Sequence, residues 1–98
     1  MSLLIMYIFQ ENCFWTIRTD TIFKSHQVSF RLNEKTTDVT MDGRKVNFIM
    51  YQPQSNQWVE KQTNGNTKTT ITRHFEENIM KVGLDVNGVS AESIFRRR

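Results

Sequence analysis

The chain has 98 residues, with thirteen Lys and Arg against ten Asp and Glu, which is one small domain with no room for a second. Three of the thirteen bases are the terminal Arg96, Arg97 and Arg98, so the body balances at ten against ten and lacks the basic stripe of a nucleic-acid binder. A single cysteine, Cys13, excludes an internal disulfide framework and a Cys-rich zinc site, and it fits a reducing, cytosolic setting.

Thr, Val and Ile supply 26 residues and Phe, Trp and Tyr another 11, while Ala and Leu supply only five. That balance favours strands over helices. The opening run from Met1 to Phe9 is apolar, but a bilayer span needs about 20 such residues. It also lacks the basic start and small-residue cleavage site of a signal peptide, so it reads as a buried strand or an ill-defined start.

From residue 13 onward the pattern alternates as in a sheet with one wet and one buried face. Strands are expected near 4–10, 14–19, 24–32, 36–40, 44–51, 57–62, 67–75, 79–86 and 89–96. Asp42-Gly43, Asn64-Gly65 and Asn87-Gly88 are pairs that accept the positive φ of tight hairpin turns. Gln52 to Asn56 and Glu76-Glu77-Asn78 mark two further turns. No stretch carries a helical period. An antiparallel meander of this kind closes into a barrel or folds into a sandwich to hide its edges.

Side-chain parity locates candidate interior residues. Val28, Phe30 and Leu32 share a face, as do Ile71, Arg73 and Phe75, and as do Val89, Ala91, Ser93 and Phe95. If the apolar faces are inner, Arg73 and Ser93 point inward. A buried Arg needs a partner, which a wet cavity with an anionic ligand would supply. A bulge that shifts parity by one residue would instead leave Arg73 in solvent.

Catalytic patterns are lacking. His26 and His74 have no Cys or carboxylate at ligand spacing and no hydrolase or metalloprotease context, so both read as surface histidines and no metal site or enzyme activity is expected. Cys13 reads as a partly buried filler.

Phe23-Lys24-Ser25-His26-Gln27-Val28-Ser29-Phe30-Arg31-Leu32-Asn33-Glu34 resembles the T-F-K-N-T-E-I-S-F-K-L-G-E segment of the intracellular fatty-acid-binding proteins. Val39 to Val46 is similar to that family's V-T-A-D-G-R-K-V, Thr69 to Arg73 to its T-T-I-K-R, and Val89 to Arg97 to its closing strand. The resemblance implies an all-β, antiparallel up-and-down β-barrel of lipocalin-like type over residues 1–98. Such a barrel carries a long-chain fatty acid or similar hydrophobic ligand in its cavity, without a cofactor.

The resemblance begins near residue 12. The family's first strand and two lid helices have no counterpart, so the barrel reads as N-terminally truncated, with 1–11 a divergent or non-native start. The unpaired edges this leaves point to a possible homodimer. The family's carboxylate clamp of two arginines and a tyrosine falls on Arg73, Ser93 and Phe95, so one cation and the phenol are lost. This weakens carboxylate binding and admits a neutral lipid, a retinoid, or a remnant that binds little and self-associates. Phe30, on the inner face with Val28 and Leu32, is expected among the ligand-binding residues, as are Arg73, Ser93, Phe95 and Phe23. Phe23 and Lys24 fall at the ligand portal, where Lys24 would touch anionic membrane surfaces. The Arg96-Arg97-Arg98 tail adds at most a weak, salt-sensitive membrane contact.

Overall fold

The computed structural model describes residues 4–40 and 43–96. Strong β formers between turn residues produce nine strands among them: β1 (Leu4–Glu11), β2 (Phe14–Thr21), β3 (Ser25–Phe30), β4 (Lys35–Val39), β5 (Lys45–Gln54), β6 (Gln57–Asn64), β7 (Thr67–Phe75), β8 (Ile79–Val86) and β9 (Val89–Arg96). Each pairs antiparallel with the next, apart from one break. β1-β2-β3 form one sheet and β4 to β9 a second, so the up-and-down wall is split between β3 and β4.

Turn chemistry sets the register. Asn87 and Gly88 take φ of 50° and 89°, the two successive positive values of a tight hairpin between β8 and β9. Gly65 (φ 60°) turns β6 into β7, and Gly43 (φ 86°) helps turn β4 into β5, while its expected partner Asp42 lies outside the described residues. Asn12 (φ 55°) makes a turn that the residue types had not flagged, because no glycine follows it. Pro53, which has no N–H to donate, sits where the β5–β6 register shifts between Tyr51 and Gln54.

The two sheets curl around one core. Ile17 and Phe30 from the first sheet pack with Phe48, Met50 and Trp58 from the second. Trp58 is at its centre, edge-to-face with Trp15 at 4.9 Å, Phe30 at 5.5 Å and Phe75 at 5.3 Å between ring centroids. On the outer face of β2, the Arg18 guanidinium lies over the Tyr7 ring and 3.0 Å from Asp20. Its hydrogen bond holds the Asp20 carboxyl below the usual carboxylate range.

Where the ladder is broken, side chains bridge the sheets. His26 of β3 places Nε2 3.0 Å from the Asp38 carboxylate of β4 and 2.9 Å from the Val39 carbonyl. The surface reading of His26 is therefore corrected. Its register partner Thr19 lies on the inner-facing side of β2 with Ile17, which turns the imidazole toward the gap. The Asn33 N–H adds a second tie by donating to the Met50 carbonyl at 2.8 Å. His74 keeps its outward parity on β7, 3.4 Å from the Asn56 amide nitrogen.

Candidate functional site

Register places functional side chains in rows across the inner face, since paired residues on neighbouring strands share a side. One row runs Trp58, Arg73, Val82, Ser93, and the next runs Met50, Glu60, Ile71, Leu84, Ala91. The parity reading of Arg73 agrees with this register. Arg73 retains 8 % of its accessible surface and Glu60 6 %.

The partner that a buried Arg requires is in the protein itself. Arg73 Nη1 donates to Glu60 Oε1 at 2.8 Å and approaches Met50 Sδ at 3.9 Å. The second carboxylate oxygen of Glu60 accepts from Gln62 Nε2. Both Glu60 oxygens are thus engaged, while Arg73 Nε has no partner, the one buried side-chain polar atom in that position among the described residues. The counter-charge of Arg73 is therefore Glu60 and not the external anion expected from an inward Arg in a wet cavity. The signal was present in the sequence: Trp58 and Glu60 are two apart on a strand, so an inward Trp58 carries Glu60 with it.

Two cavities flank this pair. The larger, about 980 Å³, is a cleft lined by Trp15, Trp58, Phe75, Ile79, Met80 and Phe95, with Leu4 to Ile8 of β1 along one wall and Glu76, Glu77 and Arg96 at its polar margin. The smaller, about 380 Å³, is lined by Thr40, Arg44, Val46, Gln62, Thr69, Ile71 and Leu84 among others. Trp58 and Phe75 belong to the first cavity, Gln62 and Ile71 to the second, and Glu60 and Arg73 are the residues between them on β6 and β7. Along these two strands the ion pair therefore stands between the two cavities without lining either of them.

The residues expected to bind ligand do not all meet here. Phe95 is half-buried and lines the cleft. Ser93 shares Arg73's row through Val82 but is exposed, because β9 is the last strand of its sheet and nothing described pairs with its far edge. Phe30, 1 % exposed, is packed inside the aromatic core and lines neither cavity, so its place is in the packing. Phe23 is 87 % exposed at the tip joining β2 and β3, beside the exposed Lys24. The Thr21 hydroxyl accepts from both their backbone N–H groups and shapes that tip.

Cys13 also requires correction. It is exposed in the β1–β2 turn rather than partly buried, and its sulfur accepts from Arg31 Nη2 at 2.8 Å. The Phe14 ring takes the stacking position beneath Arg31, which leaves the thiol on the outer surface. Of the terminal arginines, Arg97 and Arg98 lie outside the described residues.

No family model matches the chain. It is similar to fatty acid-binding protein 5 of Pygoscelis papua, 29 % identical over 92 residues that cover 94 % of this chain and 69 % of the relative. It is also 31 % identical over 84 residues to a fatty acid-binding protein of Tyrophagus putrescentiae, covering 86 % of this chain and 63 % of that one. Its fold superposes with a TM-score of 0.90 on a Schistosoma mansoni fatty acid binding protein in complex with arachidonic acid, at 22 % identity over 95 % of this chain and 69 % of that structure.

In sequence and in fold the chain is similar to the intracellular fatty-acid-binding proteins.

It spans about two thirds of the length of these relatives. Its fold class is that family's all-β, antiparallel up-and-down β-barrel type. The larger cleft, beside the buried polar pair along β6 and β7, has the size and the aromatic walls of a small-molecule site. Pockets of about 300–1,000 Å³ lined by aromatic side chains, with few polar groups, are the usual form of small-molecule sites.

Proposed function

We propose that this chain binds and carries one long-chain fatty acid or a similar single-chain lipid, with the acyl chain in the cleft and the polar end toward Arg73. The observation that carries this reading is the cleft itself: about 980 Å³, walled by Trp15, Trp58, Phe75 and Met80, with Trp58 and Phe75 two residues along their strands from the buried Glu60–Arg73 pair. Burying each methylene against such walls contributes about 0.8 kcal/mol, so the chain supplies most of the affinity and the polar pair supplies orientation. The fatty acid-binding names of its relatives support the ligand class.

Phe95 offers the direct test, because it lines the cleft while half-buried on an edge strand. Phe95→Glu is expected to weaken lipid binding by about tenfold or more by placing a carboxylate in the path of the tail. Calorimetric titration with monomeric lipid checks it. Unchanged affinity in a folded variant would remove the cleft as the site.

Ile22 and Phe23, 61 % and 87 % exposed beside Lys24, form an apolar tip with a base, suited to brief contact with an anionic membrane surface during transfer. If that contact operates, Phe23→Ser slows lipid transfer to anionic vesicles; an unchanged rate contradicts it.

Self-association is a second reading, favoured by the unpaired outer edges of β1 and β9 among the described residues. Tyr7, Phe9, Val89 and Ile94 on these strands are exposed. Sedimentation that stays monomeric at high concentration would exclude it.

A further inference from the structure

We infer that Glu60 sets the head-group class of this site, favouring lipids with an uncharged, oxygen-bearing head, such as an alcohol, amide or ester, over an ionised carboxylate. This rests on the lipid-carrier reading and deepens it.

Arg73 is the inner-face cation that would receive a ligand's head, and its charge is already balanced by Glu60 at 2.8 Å in a nearly closed setting. The pair is neutral as a unit. A ligand carboxylate brought to Arg73 would arrive beside the Glu60 carboxylate and leave a net negative charge where little water screens it. To displace Glu60 would strand that carboxylate, which only Gln62 would then hold. Either route costs affinity.

An uncharged oxygen meets neither cost. Arg73 Nε–H is buried and unpartnered, and an unmade hydrogen bond at a buried donor is unfavourable. A hydroxyl or carbonyl oxygen accepts from that N–H without altering the charge balance, and the Glu60–Arg73 bond stays in place. The cleft margin agrees with this preference. Glu76 and Glu77 stand there with Arg96, and Glu76 is paired with Lys81 at 3.2 Å, so the approach carries no surplus of positive charge.

The test compares cis-9-octadecen-1-ol with cis-9-octadecenoate, two lipids with the same tail, titrated at neutral pH as monomers into the 98-residue chain. Tryptophan fluorescence reads binding, since Trp15 and Trp58 both line the cleft. The alcohol is expected to bind about tenfold tighter than the carboxylate, the size of one charge-assisted hydrogen bond lost or gained. Glu60→Gln frees Arg73 as an uncompensated cation, and it should move the ratio toward the carboxylate by about tenfold or more.

Should Glu60→Gln fail to fold, the Glu60→Met, Arg73→Met double variant serves instead, and its discrimination between the two lipids should collapse. Tighter binding of the carboxylate by the unaltered chain overturns the inference and leaves the carrier reading standing. So does a ratio that neither variant moves. If neither lipid binds, both the inference and the carrier reading fall.

Discussion

Arg73→Ala is expected to destabilise the fold by about 3–5 kcal/mol, the cost of leaving one partner of a buried ion pair unpaired. Arg73 and Glu60 retain 8 % and 6 % of their surface, so water cannot stand in for the lost guanidinium. In a domain of this size about 1 kcal/mol shifts Tm by 4–8 °C, and the variant should melt at least 10 °C lower. Removing both charges together, as Glu60→Met with Arg73→Met, should recover most of that loss, because well-packed apolar replacements of a buried pair are often neutral. Thermal melts of the single and double variants check this. A single variant as stable as the unaltered chain would show that the pair is solvated in solution. The result also bears on binding studies: a loss of affinity in Arg73→Ala must be separated from unfolding before it is credited to the head group.

Trp58→Ala is expected to cost about 3–5 kcal/mol. Trp58 is 3 % exposed and makes edge-to-face contacts with Trp15, Phe30 and Phe75, so truncation removes the element that joins aromatics of both sheets. The cavity left would merge with the adjoining cleft, which Trp58 also lines. Trp58→Phe should cost much less, since a smaller ring keeps part of the contact. Denaturant unfolding separates them, and equal midpoints for the Ala and Phe variants would contradict the central place given to this ring.

Strand positions were legible because they rest on local properties: alternation within each strand and turn pairs such as Asn64-Gly65 and Asn87-Gly88. Arg73's direction was legible for the same reason, through its neighbours Ile71 and Phe75. What escaped depends on which strands meet. Glu60 and Arg73 are 13 positions apart, and only the β6–β7 register brings their rows together. His26 and Asp38 are 12 apart and meet across a break between sheets, a feature that no periodicity marks. Ser93 shows the converse limit. Its parity was right, but parity does not say that β9 ends its sheet and leaves the side chain exposed.

The central claim is that a single lipid tail lies in the cleft against Trp15 and Trp58, and quenching by a bromine-substituted acyl chain tests it most directly. These are the two tryptophans of the chain, and both line the cleft. Titration with a long-chain lipid brominated near mid-chain should quench most of the tryptophan emission, saturate at one lipid per chain, and reverse when an unbrominated lipid of the same head group is added. Quenching that never saturates, or that an excess of unbrominated lipid leaves untouched, would contradict the account.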